Sequence, residues 1–500
     1  MPQLGRRHFD VIVVGAGPGG SLTAMQLARR GRKVAILDRT HFPRFAVGES
    51  STPIASRTIE QISIDFGIDE LAPLTRWGKW RESLAPMTGG LKRGFTYYDH
   101  RPGSGSDTPG NWPAEPATRL LVAASASDAD GDSHWVRAEV DQYLLEICRC
   151  HGVDVRLGVT LEQLSPQSPW HIGVRQDSVD GVTETLTCDT LVDASGRAGA
   201  ILRRLGYHDT TDSMLTKTAA RFTHIMNTTV CDDSDPGTLP YQANNAAVHH
   251  LLHDGWVWEL PMSDGRSSVG RVWQGPGTTD NPVAALPTMT DNLAGNLDVM
   301  SYPHLRDWLR SARLADSPGH WRQAPRIQHR WGGGREMSLS FLALPTTFAT
   351  IDPLHSTGLA HAITGAQRIS DLIVREAVSD VARYGHQIDS EIELLDRVIS
   401  LAYRGWARCD LFFDACMLYF ALAIGDEEDR ISGGFDPARS TWRATDPHVQ
   451  SALTGAEAIL MDALRSDRPV ERTAFRRELA KICSVPLACR DDNLYAYTFG

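Results

Sequence analysis

Residues 10–20 read DVIVVGAGPGG, and the reading of this stretch decides the fold. Phe9 to Val14 is a short apolar, β-branched run of the kind that fills a buried strand. Gly15, Gly17 and Gly20 follow at the G-x-G-x-x-G spacing, and SLTAMQLARRG then carries apolar residues at helical intervals. The next run, KVAILD, is a second strand that ends on Asp38. Strand, glycine turn, helix and strand make a βαβ unit. The first glycine permits the tight turn, the second lets the backbone approach a pyrophosphate, and the third allows close packing of the helix. The helix N-terminus favours the phosphate charge, and a carboxylate at Asp38 stands where it can accept adenosine ribose hydroxyls. A bound dinucleotide is therefore expected, on a Rossmann-type α/β domain.

Around this unit the chain has 500 residues, 42 % of them hydrophobic, and a formal charge of -11. That length can bury a large core and predicts more than one subdomain. The acidic balance argues against a nucleic-acid surface, which needs clustered Lys and Arg. The first apolar run is too short, and too soon broken by glycine, for a secretory or membrane segment, so the expectation is a soluble cytoplasmic protein without a membrane partner. Eight scattered cysteines suit free thiols better than a disulfide framework. CRCH at Cys148 to His151 ends a helical stretch, where positions two apart do not face each other; no metal site is expected.

Further along, His41 to about Asp130 is rich in Gly, Pro, Trp and Ser, and PGSGSDTPGNWP reads as an exposed loop. Residues 135–157 read as helix then strand, and TLVDASG as a strand ending in a tight turn. From about Thr216 to Trp273 several strand-like runs predict an antiparallel sheet interleaved with the nucleotide domain. Beyond about Gly365 the pattern becomes helical. The expected division is a core of residues 1–375 and a helical, substrate-capping region of residues 376–500.

GWVWELP, Gly255 to Pro261, lies within that sheet. Strand alternation points Trp256 and Trp258 to one face and Val257 and Glu259 to the other. Core filling is one reading of the pair; the wall of a site is another. Five further segments bear on the choice. DVIVVGAGPGGSLTAMQLARRGRKVAILDR, FPRFAVGESSTP, VRAEVDQYLLE, VDASGR and IDPLHSTG together resemble the ordered motifs of the FAD-dependent monooxygenase superfamily. Within it, GESSTP and WVWELP resemble the flavin-dependent halogenases, over about residues 8–375.

The resemblance implies that a separate flavin reductase supplies FADH2, and that oxygen and chloride or bromide are turned into hypohalous acid beside the flavin. Trp256 and Trp258 would then keep the organic substrate away from the flavin. Halide would sit on backbone amides at Thr357 and Gly358, since such donors hold an anion without a fixed cation that would quench it. Lys92, in GGLKRGF, matches the lysine that carries or hydrogen-bonds the hypohalous acid, with Lys79 as competitor. Burial would lower its pKa toward a neutral amine. Carried over as flavin contacts are Glu49, Arg137, Arg44, Asp352 and Pro353, beside Gly15, Gly17, Gly20 and Asp38 of the glycine turn.

Two positions depart from the family pattern. The usual Gly-Asp before the second flavin motif is Pro345-Thr346 here, and a threonine hydroxyl could still reach the ribityl chain. The glutamate that tryptophan halogenases carry before Ser-Thr-Gly is His355, which cannot act as a permanent anion. That directs the expectation toward a small phenolic or heteroaromatic substrate, free or tethered to a carrier protein. The alternatives are a flavin hydroxylase on the same scaffold and a degenerate, non-catalytic flavoprotein.

Overall fold

The Arg7–Val14 strand lies between Val34–Asp38 and Thr183–Asp193, parallel to both. Its residues from Val11 to Val13 are shielded on both faces, as in a strand covered on either side by other layers. The computed structural model describes residues 7–101, 119–165, 167–177, 182–228, 240–274, 286–315 and 320–484, with the backbone of 488–489 and 494–496. Asp154–Leu157 extends the sheet in parallel on one side. On the other, Trp170–Gln176 and Val159–Ser165 continue it antiparallel, and Phe341–Ala343 joins the end of Thr183–Asp193 in parallel. The Pro18–Arg29 helix packs against the Thr357–Arg375 helix.

The glycine turn has the geometry that those three roles require. A Cβ on Gly15, whose φ is +114°, would meet the Ala194 carbonyl oxygen at 2.2 Å, and one on Gly20 would meet the Gly15 carbonyl at 2.0 Å. At Gly17 it would find nothing closer than 3.8 Å, so this position faces open space. Ala194 arrives there because buried Asp193 accepts hydrogen bonds from the backbone of Ser195, Ile201 and Leu202 and folds the VDASG segment into a turn.

A second sheet runs Thr218–Met226, Arg266–Gln274, Gly255–Pro261, Ala247–Leu252, Gly94–Asp99 and Arg119–Ala123, with short strands beyond each end. The expected antiparallel order holds along most of it. Ala247–Leu252 and Gly94–Asp99, however, are parallel neighbours, as are Leu494–Ala496 and Arg119–Ala123. One face meets the main core through Phe95, Tyr97 and Trp256; the other closes a smaller core of Ile225, Val257, Val269, Leu297 and Trp308. Between the sheets lies a two-stranded ribbon, Gly89–Lys92 against Asp132–Trp135. It approaches Gly255–Pro261 so closely that a Cβ on Gly90 would fall 2.0 Å from the Pro261 carbonyl oxygen.

The helices Val381–Arg404, Cys409–Gly433, Pro447–Ser466 and Arg472–Ile482 complete the fold. Nearly every residue from Leu411 to Ile424 is buried, the signature of a helix surrounded by other elements. Buried Glu391 ties the region together: it accepts from His361 Nε2 at 3.0 Å, Arg368 at 2.7 Å and the Thr441 amide at 2.6 Å. Among the described residues, no helix is long and apolar enough to cross a membrane, and six cysteines are free. Cys148 is buried while Cys150 is exposed, as their helical spacing requires. The PGSGSDTPGNWP segment lies outside the described residues.

Candidate active site

At the nucleotide end, Gly17 stands at the N-cap of the Pro18–Arg29 helix, and the guanidinium groups of Arg137 and Arg44 flank the open space beside it at 3.8 and 3.9 Å from the position of a Cβ. Arg137 is held there by both oxygens of Asp141, at 2.7 and 2.9 Å, and donates to the carbonyls of Val47 and Gly48. Arg44 lies 3.5 Å from the same Asp141. A helix N-terminus, a glycine without a side chain and two cations converge on one point. That suits a pyrophosphate. Asp38 accepts from the Ala16 and Thr40 amides at 2.9 and 2.8 Å, fixing its carboxylate at the edge of the turn. FAD fits these residues; when bound, it supplies the oxygen-activating chemistry.

Glu49 follows on the same strap but is turned inward. It is buried, and its carboxylate lies 2.7 Å from His224 Nε2 on the second sheet. Asp352 is also turned inward, accepting from the Leu354 amide, Tyr403 hydroxyl, Thr218 hydroxyl and Gln328 amide. Burial pushes its carboxyl up to about 6 despite these donors. The placement of Asp352 is thus that of a turn-shaping group rather than a direct cofactor contact, because protein donors engage both its oxygens. Pro353 opens the short 3-10 turn that follows, and Thr346 is half-buried on the Pro345–Phe348 helix behind it.

After that turn Ser356 takes a left-handed conformation, φ 54°, and the Thr357–Arg375 helix begins. The first amides of a helix have no intrahelical acceptor, so those of Thr357 and Gly358 are available donors. Gly358 is exposed, with nothing within 4 Å of a Cβ placed on it.

The tryptophans pack against a buried aromatic cluster, Trp256 lying 4.9 Å from His249 between ring centroids. Trp256 and Trp258 share a face with ring centroids 6.1 Å apart, while Val257 and Glu259 point into the smaller core, as alternation requires. The Trp256 indole donates to Tyr403 at 2.8 Å, and Tyr403 donates to Asp352 at 3.0 Å. Trp258 covers Gly270, where a Cβ would fall 2.2 Å from its ring, and contacts Phe222.

Lys92 is fully buried. Its Nζ donates to the Ser51 carbonyl at 2.6 Å and sits 4.0 Å from the centre of the Phe95 ring. Phe95 continues to His249, and His249 to Trp256 at 4.9 Å. Burial drives the Lys92 ammonium down to about 7, with Asp132 opposing the shift. The competitor Lys79 is partly exposed and paired with Glu60 at 3.4 Å. His355 closes the far side, stacked on Tyr419 at 4.4 Å and 7°, with Nδ1 3.5 Å from the Tyr97 hydroxyl. Burial lowers its pKa well below the usual value, so it is a neutral imidazole.

Four buried polar atoms in the lysine and histidine segments have no hydrogen-bond partner among the described residues: Ser50 Oγ, Thr52 Oγ1, His134 Nδ1 and His355 Nε2. Buried polar groups are otherwise almost always satisfied. The sequence motifs single out Lys92, His355 and both tryptophans. They give no sign of their neighbours Tyr97, His249 and Asp132, whose places depend on strand register rather than motif.

The fold and the glycine turn with its two arginines are those of a flavoprotein oxidoreductase. The tryptophan halogenase family profile matches residues 133–420, and that of an NAD(P)-binding Rossmann-like domain matches residues 13–57. The chain belongs to the tryptophan halogenase family, and is accordingly an FAD-dependent halogenase. It is 26 % identical to the tetracycline 7-halogenase of Kitasatospora aureofaciens over 402 residues, 78 % of this chain and 68 % of that one. With a 1H-pyrrole-2-carbonyl-[peptidyl-carrier protein] chlorinase of Pseudomonas fluorescens it shares 25 % over 409 residues, 79 % and 84 % of the two chains. The solved structure of halogenase PltM in complex with phloroglucinol and FAD superposes with a TM-score of 0.78 at 22 % identity, over 96 % and 97 % of the chains.

Proposed function

We propose that this halogenase acts on a small, flat phenolic ring, or a heteroaromatic one of the same size, placed between Lys92 and His355. The observation that carries the proposal is the unpartnered, buried Nε2 of His355 in an aromatic cluster with Tyr97 and Tyr419 that runs through His249 and Phe95 to Lys92 Nζ. In the tautomer in which Tyr97 donates to Nδ1, Nε2 carries the ring proton and can offer it to a phenol oxygen; in the other, Nε2 accepts the phenol proton, and in both a neutral imidazole orients such a ring without repelling it. Stacking on Tyr97, Tyr419 and Phe420 favours a planar guest. Neighbours that act on a carrier-tethered pyrrole and bind phloroglucinol support an aromatic substrate of this size.

In this reading Gly15, Gly17, Gly20, Asp38, Arg44 and Arg137 hold FAD, with Glu49, Thr346, Asp352 and Pro353 shaping its surroundings. The amides of Thr357 and Gly358 hold chloride or bromide. Trp256 and Trp258 exclude the ring from the flavin, and Lys92 orients hypohalous acid toward the nucleophilic carbon. A separate reductase in the cytoplasm supplies FADH2. Residues 376–500 act as the substrate cap on the 1–375 core.

The test is bromination of a panel of phenols, pyrroles and indoles with chemically reduced FAD, oxygen and bromide, beside Lys92→Ala. Brominated phenol that is lost in the variant is the expected result. Hydroxylated product independent of bromide would overturn the reading.

A further inference from the structure

Lys92 and Asp132 are direct cross-strand partners in the ribbon, and both are fully buried. Ser56, one turn into the Pro53–Phe66 helix, donates its hydroxyl to Asp132 Oδ1 at 2.6 Å, and Ser51 Oγ stands 3.3 Å from Ser56 Oγ. The Ser51 carbonyl is the group that receives Lys92 Nζ. Lysine, serine pair and aspartate therefore form one connected unit.

The other titratable groups around the pair come from four elements. His134, on the Asp132 strand, and His249, on Ala247–Leu252, are both pushed down to about 3 by burial and so are neutral. Arg57 and Glu60 lie on the Pro53–Phe66 helix, and Arg57 is 3.4 Å from Glu427 on the Cys409–Gly433 helix. Burial, with Asp132 adding to it, raises Glu427 to about 7. Tyr419, on the same helix, is held in its neutral form by burial. Arg76 completes the set as a more distant cation. Asp132 is thus the carboxylate registered directly against Lys92, while Glu427 is matched by Arg57.

We propose that Asp132 is a positioning residue that sets the charge carried by Lys92, with Ser56 keeping the aspartate ionised. This rests on Lys92 being the halogen-directing amine. A buried lysine alone would give up its proton; a facing carboxylate retains it. Burial and mutual attraction act in opposite directions on both groups, with Asp132 raised by desolvation and lowered by Lys92 and Ser56. The amine is thereby poised between its donor and acceptor forms.

The chain has five lysines, Lys33, Lys79, Lys92, Lys217 and Lys481, which makes the test direct. The full chain labelled with 13C at lysine Cε is titrated by NMR without flavin or substrate, the Lys92 signal being assigned by its loss in Lys92→Met. The Lys92 midpoint is expected below the other four, and lower again by about 1 pH unit or more in Asp132→Asn. Ser56→Ala is expected to move it in the same direction by less. The limb of the bromination pH profile that reports Lys92 should follow by the same amount. An unmoved or raised midpoint in folded Asp132→Asn overturns the proposal; if that variant does not fold, an unmoved midpoint in Ser56→Ala does so. Because the titration requires no turnover, a moved midpoint with full bromination by Lys92→Ala would instead strike down the role given to Lys92.

Discussion

Lys92 combines two properties that oppose each other in water, a terminal amine and complete burial, and the structure reconciles them with a backbone carbonyl and an aromatic face. Removing it should leave flavin binding intact, because the glycine turn and its arginines are elsewhere. Lys92→Ala is expected to lower bromination by about 10²–10⁴-fold, the range of a positioned proton-transfer group, with the affinity for FAD unchanged by fluorescence titration. At His355 the change to phenylalanine keeps the stack on Tyr419 and deletes Nε2. Loss of one neutral hydrogen bond should raise KM for a phenol by about tenfold, while an aromatic substrate without a hydroxyl is unaffected. Both residues were legible because each lies in a recognisable motif. Asp132 was not, since nothing in DGDSHW says which residue of another strand it will face.

The elements are held in register by a few close approaches that no side chain could survive. Gly270 lies beneath the Trp258 ring, so Gly270→Ala should displace the indole, opening the wall between flavin and substrate. The expected readout is hydrogen peroxide released without halogenated product, at unchanged FAD affinity. Among the helices, the decisive contact is Glu391. Burial opposes its ionisation, but Arg368 and His361 outweigh that and hold it down to about 2. Its folded pKa is therefore below the unfolded value near 4.5, so its stabilisation is present above that value and lost as pH falls toward 2. The difference is worth about 3 kcal/mol. Glu391→Gln should remove this acid-side dependence in denaturant melts and cost about 3–5 kcal/mol at pH 7, since Arg368 is left buried and unmatched. Periodicity in the sequence located these helices, but not the clamp between them, because a charged residue on an apolar helix face reads the same whether it meets solvent or a partner.

For the whole molecule, the proposed boundary at residue 375 separates roles rather than folding units. Trp256 is braced by Tyr403, His355 by Tyr419, and Tyr97 by Phe412, so the 1–375 segment alone would expose the aromatic faces that build the site. Expressed by itself, it is expected to be insoluble or to lack flavin binding; a soluble, FAD-loaded 1–375 segment would overturn this. The βαβ beginning and helical end were plain from the order of periodicities, whereas the parallel seams of the second sheet depend on long-range pairings that no local pattern encodes.

The Phe341–Ala343 strand has a consequence of its own. It completes the nucleotide sheet beside Asp193, yet much of the second sheet, from Thr218–Met226 to Arg266–Gln274, is interposed in the sequence between them. At ribosomal elongation rates of about 5–20 residues per second, the sheet edge stays unpaired for on the order of ten seconds after Asp193 is made. During that interval the Leu191–Asp193 edge of the nascent chain stands open to other strands, and co-expressed chaperones are expected to raise the yield of folded protein.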